Sequence, residues 1–290
     1  MADHGIVYTS GGIRFSDNLT EAAEPNSEFE AHAHHDELEV YWFLDGDLVF
    51  AFEGERIPVT PGDMFVISNG LLHKPILKNV CRYYRKRILF RRELLAGYCP
   101  GGMELYYRLS SRRILHLDAN LARAHGLDRL FSQLTQEGKD PAVYGQFCAM
   151  TTLCYFLKTA EAVCPAAPEV RSTVPGGKAG PLLQYIDENL AADLSYQTLA
   201  VQANLSVKSL YQFFKQETGF PLGQYIKERR IIKAKTLLNA GASAAEAAAG
   251  AGFKDYSVFY RNFQKKTGLT PAEYLKTAER SNSEQLSGPF

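Results

Sequence analysis

Two segments of the chain combine an apolar helical stripe with a row of polar side chains that could hydrogen-bond to nucleic-acid bases and phosphates. In the first segment, Leu210, Phe213 and Phe214 recur at the i, i+3 and i+4 spacing of one helix face. In the second, Phe259 and Phe263 lie four residues apart and predict another buried face. The opposite faces hold donors and acceptors of the kind that contact base edges and phosphate oxygens. These candidate DNA-binding residues are Ser206, Lys208, Ser209, Tyr211, Gln212, Lys215, Tyr256, Ser257, Tyr260, Arg261, Gln264 and Lys265.

Both segments belong to an internal repeat between Leu194 and Tyr274, with copies about fifty residues apart. Each copy has a helix of small residues, a tight turn and a second helix that begins at an N-capping residue, Ser206 or Asp255. Each second helix ends in Thr-Gly, and a proline follows, which is typical of a left-handed cap and a new helix start. One such helix alone is more often the solvated face of a helical bundle. Two in register favour tandem helix-turn-helix units, joined by a long helix predicted over 221–238.

The last hundred residues or so resemble the DNA-binding domain of AraC/XylS-type transcription regulators. The most specific signature runs from Gly252-Phe253 to Tyr274. Four positions of the second unit depart from what is usual in the family: Ala244 and Ala247 replace larger aliphatics, Gln264 replaces a lysine, and Leu275 replaces an arginine. We therefore expect a thinner core and one phosphate contact fewer in the second unit. The residues that carry the resemblance are Leu199-Ala200, Leu205-Ser206, Leu210, Phe214-Lys215, Gly219-Phe220-Pro221, Gly252-Phe253, Asp255, Phe259, Arg261, Phe263, Lys265, Gly268, Thr270-Pro271 and Tyr274.

The first third of the chain has the pattern of an all-β region. Residues 1–30 are acidic and are expected to be irregular. From Glu30 to about Arg92, short runs of strand-forming residues alternate with turns about every ten residues, which favours a sandwich or small barrel. Within the strand predicted over 82–90, Arg85, Lys86 and Arg87 indicate either the solvent face of that strand or a basic patch.

Part of this β region resembles the two cupin motifs. His32, His34, Glu39 and Gly46 follow the first motif, and Gly62-Asp63, Gly70 and His73 follow part of the second. Ser68 and Leu77 depart from the usual proline and asparagine. In metal cupins, the positions of His32, His34, Glu39 and His73 converge on one divalent ion; in AraC-type sensor domains a similar opening usually lines a pocket without a metal.

We therefore favour an effector site over a metal site, with capping of strands as a further alternative. The proposed effector-binding residues are His32, His34, Glu39, Tyr41 and His73. Tyr41 joins the set because side chains alternate along a strand, so Glu39, Tyr41 and Phe43 would face inward while Val40 and Trp42 face outward. The opposite register, with Glu39 in solvent and Trp42 inward, is the alternative.

Two helices are predicted after the β region. The first is one amphipathic stretch from Asp118 to Gly138, and the second runs from Ala142 to about Val163 after Pro141. The resemblance implies that this hairpin is a dimer interface; the alternative is a hairpin that packs only on its own barrel. A segment rich in proline, glycine and alanine follows and predicts a linker.

The predicted fold class is thus a two-domain α+β protein, with a cupin-like β-barrel plus helical hairpin followed by an all-α domain. The domains are an effector-sensing and dimerisation domain over 1–165, a linker over 166–181, tandem helix-turn-helix units over 182–278 and a frayed tail over 279–290.

Charge is balanced overall but unevenly distributed. Residues 1–60 hold thirteen acidic and two basic side chains, whereas residues 204–276 hold twelve basic and five acidic ones. This asymmetry predicts that the C-terminal half faces nucleic acid. The N-terminus lacks the pattern of a secretion signal, no apolar run is long enough to span a membrane, and five cysteines without CxxC spacing indicate a reducing compartment.

These features together predict a ligand-responsive, sequence-specific DNA-binding regulator, with a sugar or related metabolite as effector. We expect a bacterial cytoplasmic, nucleoid-associated homodimer that contacts double-stranded DNA, and RNA polymerase if it is an activator. No catalytic residues can be assigned from spacing and no cofactor is expected. The alternatives are a metal-dependent cupin enzyme and a constitutive DNA-binding protein whose barrel serves only to dimerise.

Overall fold

A computed structural model describes residues 3–24, 33–34, 37–52, 55–164 and 177–276. The chain divides into two compact units, Met1–Thr173 and Val174–Phe290. No helix among the described residues is both long and apolar enough to cross a membrane. The predicted tail, 279–290, and most of the predicted linker lie outside the described residues.

The described strands of the first unit form two sheets. The larger sheet has the order β1-β2-β8-β3-β6-β9 and the smaller has the order β5-β4-β7, so these strands form a sandwich rather than one closed barrel. The strands are β1 (Asp3–Ser10), β2 (Ile13–Ala23), β3 (Glu37–Asp45), β4 (Leu48–Phe52), β5 (Glu55–Pro58), β6 (Met64–Ile67), β7 (His73–Leu77), β8 (Cys81–Arg91) and β9 (Ile114–Leu117).

The first two strands correct the prediction of an irregular N-terminal segment, which is wrong for residues 3–23. β1 and β2 form an antiparallel hairpin that turns at Gly11 and Gly12, whose φ angles are 55° and 81°. Apolar alternation in β2 stops after Ile13 and Phe15, because Asp17 occupies the next position on their face and the opposite face is polar although it is buried. A polar buried face does not produce the hydrophobic pattern by which a strand is recognised in sequence.

The central strand β3 is buried on both faces. Glu39, Tyr41 and Phe43 face the smaller sheet, as the alternation predicts, and each is at most 2% exposed. Trp42 lies on the opposite face, but that face packs against helices rather than water, and its ring centroid lies 5.2 Å from that of Phe131.

Helices cover the outer face of the larger sheet. They are α1 (Arg92–Tyr98), α2 (Gly102–Ser111), α3 (Ala119–Ala124), α4 (Leu127–Glu137) and α5 (Val143–Val163). The single stretch predicted from Asp118 to Gly138 is two helices, because Gly126 adopts φ 67° between α3 and α4. The prediction for α5 is confirmed to within one residue, whereas α1, α2 and β9 were not predicted.

The second unit is entirely helical where it is described. Its helices are α6 (Gly180–Glu188), α7 (Tyr196–Gln202), α8 (Val207–Thr218), α9 (Leu222–Asn239), α10 (Ala244–Gly250) and α11 (Tyr256–Thr267). α6 begins at Gly180, so the last two residues of the predicted linker are helical. The long helix predicted between the repeats is α9.

The repeat seen in the sequence is also a repeat of hydrogen bonds. The Thr218 hydroxyl donates to the Phe214 carbonyl at 2.6 Å and accepts from the Phe220 N–H at 3.0 Å. Thr267 makes the same two kinds of contact at 2.8 and 3.1 Å. Each threonine hydroxyl therefore joins the last turn of its helix to the apolar residue that follows the glycine.

Candidate functional sites

The first candidate DNA-contacting helix is α8, and its two faces are as predicted at most positions. Ser206 caps the helix by accepting from the Ser209 N–H at 3.1 Å. Leu210 and Phe214 are fully buried, whereas Phe213 is only half-buried. The candidate DNA-binding side chains are exposed, namely Ser206, Lys208, Ser209, Tyr211, Gln212 and Lys215.

Tyr211 has a contact that the sequence did not predict. Its ring centroid lies 4.7 Å from that of Tyr196 on α7. The hydrogen bond with Tyr196, together with partial desolvation, raises the pKa of Tyr211 to about 12. The phenol therefore stays neutral at ordinary pH and is oriented by α7.

The second candidate DNA-contacting helix is α11. Asp255 caps it by accepting from the Val258 N–H at 3.0 Å, and Phe259 and Phe263 are fully buried. Tyr260 is half-buried, and the other predicted contact residues are exposed, namely Tyr256, Ser257, Arg261, Gln264 and Lys265.

Four cations on these two surfaces are available to phosphate. In the described parts of the chain, Lys208, Lys215, Arg261 and Lys265 are exposed and take part in no ion pair. Lys266 is different, because it turns inward and pairs with Glu228 of α9, which is 1% exposed. Neighbouring lysines at the end of α11 thus have different environments, one outward and one structural.

The helix α9 is anchored both to α6 and to the segment that follows α6. Arg229 forms a two-pronged ion pair with Asp187, with nitrogen–oxygen distances of 2.7 and 2.8 Å. Arg230 donates to the Leu190 carbonyl at 3.1 Å. Sequence analysis missed these contacts, because the charged run in α9 has no periodicity that distinguishes anchored from solvated side chains.

The first unit brings three of the predicted effector residues together. His34 Nε2 lies 3.1 Å and His73 Nε2 lies 2.9 Å from Glu39 Oε2. Glu39 and His73 are at most 1% exposed, and one ligand atom from each of the three side chains lies within 4.8 Å of the others. His32, the fourth member predicted from the cupin motif, lies outside the described residues.

The hydrogen bonds of His73 restrict its protonation state. Its Nδ1 lies 2.8 Å from the Leu71 carbonyl oxygen, which can only accept, so Nδ1 carries a proton. Burial alone would raise the pKa of Glu39, but His34 and His73 hold that pKa well below its usual value, so Glu39 is ionised. Nε2 of His73 then needs a second proton to face the carboxylate. A divalent cation held by His34, Glu39 and His73 would satisfy the same geometry.

Tyr41, the remaining predicted effector residue, lies beside this group in an aromatic wall. Its hydroxyl lies 2.6 Å from that of Tyr83, and both rings are almost completely buried. Burial, followed by the neighbouring Tyr83, raises the pKa of Tyr41 well above its ordinary value. Phe50 of the smaller sheet meets the Tyr41 ring edge-on at 4.7 Å.

The basic run on β8 corrects another expectation. Arg85 is 8% exposed, and its guanidinium carbon lies 4.3 Å from the centre of the Tyr83 ring, so this side chain is not on a solvent face. Arg87 shares that inner side, and its Nε lies 3.9 Å from Glu39 Oε1. Only Lys86 points to the other face, where it pairs with Asp17. The alternation along β8 could have indicated this, because Tyr83, Arg85, Arg87 and Leu89 must share one face of the strand.

Asp63, which matches the second cupin motif, has a structural role. It accepts from Thr60, from His116 Nε2 at 3.1 Å and from the Ala119 N–H at 2.9 Å. Burial would raise its pKa, but the hydrogen bonds from His116 and Thr60 lower it. Asp63 therefore joins β6, β9 and α3 rather than the effector group.

Comparison with known proteins identifies both units. A helix-turn-helix domain model matches residues 199–277, and a cupin domain model matches residues 20–80. The HTH-type transcriptional activator RhaR of Mannheimia succiniciproducens is 25% identical over 83% of this chain and 85% of its own length. RhaS of Citrobacter koseri, another HTH-type transcriptional activator, is 22% identical over 86% and 88%. The chain therefore has the arrangement implied by the AraC/XylS resemblance, a cupin domain followed by a helix-turn-helix domain, and the relatives it matches are HTH-type transcriptional activators.

These matches decide against the alternative of a metal-dependent cupin enzyme. The chain is a DNA-binding regulator rather than an enzyme, and its first unit holds a cupin domain. Among solved structures, the C-terminal domain of the response regulator yesN from Fusobacterium nucleatum is 29% identical over 32% of this chain and 93% of that domain, with a TM-score of 0.31.

The four exposed cations predict how DNA affinity depends on salt. Each phosphate contact releases condensed counterions, so four contacts give a slope of log K against log salt of roughly −3 to −4 per monomer. Replacing Lys215 with alanine is expected to make the slope less steep by about 1, with sequence preference retained. Fluorescence anisotropy on a duplex selected from a random pool, at several salt concentrations, measures this. An unchanged slope would place Lys215 away from the backbone.

Proposed function

We propose that this regulator alters transcription in response to a small molecule, a sugar or related metabolite, that binds between the two sheets of the first unit. The observation that carries the proposal is the convergence of His34, Glu39 and His73 next to the Tyr41 and Phe50 rings. A mostly apolar wall with a few convergent polar groups is the usual lining of a small-molecule site. The aromatic faces would stack on a sugar ring, and Glu39 and the imidazoles would bond its hydroxyls.

The relatives are activators by name, and on that basis we propose that this chain also activates transcription through RNA polymerase. The proposed domain limits remain 1–165 for sensing and dimerisation and 182–278 for DNA binding. The proposed DNA-contacting set is the exposed polar row of α8 and α11, with the two helices in successive major grooves about 10 bp apart.

Replacing Glu39 with glutamine tests the effector site. The change keeps the side-chain shape but removes the charge that accepts from a ligand hydroxyl. Effector affinity is expected to fall about 10- to 100-fold, since hydrogen bonds to charged groups contribute roughly 1.5–3 kcal/mol. DNA affinity without effector is expected to stay unchanged. Effector affinity is measured by isothermal titration of the full-length protein with those sugars that raise its unfolding temperature.

Glu37→Gln is the matched control, because Glu37 lies two residues earlier on β3 but is partly exposed and pairs with Arg14 instead. This variant is expected to bind the effector as the wild type does. Metal content measured on the same preparations distinguishes a protonated His73 from a bound cation. Equal effector affinity in the wild type and the Glu39→Gln variant would place the effector elsewhere.

We further propose that the protein is a homodimer whose two copies meet through α5. Tyr144, Phe147 and Tyr155 are 82%, 62% and 57% exposed, although large apolar side chains usually become buried. Their spacing places them within about 100° of one another around the helix. A second copy of the same stripe complements them, because a two-fold interface pairs a surface with itself.

Replacing both Tyr144 and Phe147 with glutamate is expected to convert the full-length dimer into a monomer at micromolar concentration, because burying like charges against each other is costly. Light scattering coupled to size exclusion measures the mass. Ser132→Glu on the exposed side of α4 is the control and is expected to remain dimeric. A wild-type protein that is already monomeric would contradict the proposal.

A further inference from the structure

The inner face of the larger sheet holds a second polar group beside the proposed effector residues. On β2 this face presents Ser16 and Asn18, which register opposite Arg87 and Arg85 of β8. Ser16, Asn18 and Arg85 are 6%, 6% and 8% exposed. A sheet interior made of hydroxyl, amide and guanidinium groups buries polar atoms that an apolar core would not need to accommodate.

The hydrogen bonding of Arg87 is incomplete within the described residues. Its Nη2 donates to Asn18 Oδ1 at 3.4 Å, which is long for such a bond, and its buried Nε has no hydrogen-bond acceptor. The Ser16 hydroxyl is likewise buried without a hydrogen bond. Glu39 Oε1 is 3.9 Å from Arg87 Nε, and the other oxygen of Glu39 faces His34 and His73.

Among the described residues, this face holds two guanidinium groups and one buried carboxylate. Arg85 and Arg87 are both cationic, and the carboxylate is that of Glu39, which is already paired with the imidazoles. Arg14 and Glu37, near the end of the same face, pair with each other. Where Arg85 stacks on Tyr83, the aromatic ring compensates part of its desolvation, whereas no ring from the described residues stacks on Arg87.

We propose that the effector carries a carboxylate, which binds the Nε–Nη2 edge of Arg87 with the Ser16 hydroxyl donating to it and Arg85 adding positive potential. The hydroxyl-bearing part of the ligand then extends toward Glu39, His34 and His73. This inference rests on the proposed function, namely that the effector binds between the sheets, and it narrows the ligand class from sugars to sugar acids such as uronates or aldonates. A guanidinium edge matches a carboxylate with two parallel hydrogen bonds.

The test is isothermal titration of the full-length protein with glucuronate, galacturonate and gluconate, with glucose and galactose, and with glucose 6-phosphate. At least one sugar acid is expected to bind at least about 10-fold more tightly than its neutral parent, as a charge-assisted pair requires. Arg87→Gln is expected to reduce the ratio of acid to neutral affinity to about one, with neutral affinity unchanged. Arg87→Lys keeps the positive charge but loses the two parallel N–H donors of the guanidinium. This variant is expected to give an intermediate ratio of acid to neutral affinity.

Arg82→Gln is the matched control, because Arg82 is on the same strand but points to the opposite face and pairs with acidic side chains there. It is expected to keep the preference for acids. Neutral sugars that bind as tightly as their acids would overturn this inference and leave the proposed function standing. Tighter binding of the phosphate would overturn the choice of carboxylate, and binding of none of the panel would count against both proposals. Melting of each variant without ligand confirms that it is folded.

Discussion

Replacing Phe263 with alanine is expected to destabilise the second helix-turn-helix unit by about 3–5 kcal/mol, the usual cost of removing a buried aromatic ring from a packed core. Phe263 is completely buried, and its ring lies 5.3 Å from that of Phe259 and 5.4 Å from that of Tyr274. The small helix α10 contributes mainly alanines to this core, so little neighbouring side-chain volume is available to fill the cavity. Urea unfolding followed by circular dichroism measures the loss.

Arg261→Ala, two residues earlier on the same helix, is the control. Arg261 is exposed and forms no ion pair among the described residues, so its removal should leave folding unchanged. If Arg261 contacts a guanine edge, specific DNA binding is expected to weaken by about 1–3 kcal/mol. Equal unfolding of both variants would mean that the two faces of α11 are assigned wrongly.

The C-terminal unit was predictable because its information is local. An N-cap such as Ser206 lies within three residues of the N–H that it accepts from, and the Thr-Gly ends are satisfied within four. The helical stripes that set the buried faces also repeat within one or two turns. The contacts that fix α9 relative to its neighbours are not local, since Arg229 pairs with Asp187 and Lys266 pairs with Glu228. Nothing in the sequence next to these residues identifies their partners.

The sensor unit shows where sequence reasoning stops. The inward direction of Glu39 and Tyr41 followed from alternation, because side-chain period is a property of the strand itself. Whether a face of the strand is exposed to solvent is instead decided by the other elements that pack against it. Helices cover Trp42, and β2 pairs with β8 so that Arg85 and Arg87 are enclosed, although an arginine run usually indicates solvent. The polar interior was missed for this reason.

Gly252→Ala is expected to destabilise the C-terminal domain at least as much as Phe263→Ala, although it adds only one carbon. Gly252 has φ 87°, which costs an alanine about 1–2 kcal/mol. A Cβ at this position would also lie 1.9 Å from the Leu190 carbonyl oxygen. That carbonyl accepts from Arg230, so the backbone of the segment after α6 must move and an anchor of α9 weakens with it. We expect a total loss of roughly 3 kcal/mol or more, because strain, displaced backbone and a weakened hydrogen bond act together.

Gly268→Ala distinguishes the conformational cost of a positive φ from the cost of the contact with the Leu190 carbonyl. Gly268 also has a positive φ, 73°, but a Cβ there has no atom within 4 Å. This variant is expected to lose only the conformational part, about 1–2 kcal/mol. Gly252 lies in the turn of the second helix-turn-helix unit and contacts the segment before the first one. Gly252→Ala is therefore also expected to weaken DNA binding, and the loss of affinity should be larger for a duplex with both half-sites than for a duplex with one. Chemical unfolding and anisotropy on the two duplexes measure these effects. Equal losses in the two variants would show that the contact with Leu190 does not hold the units in register.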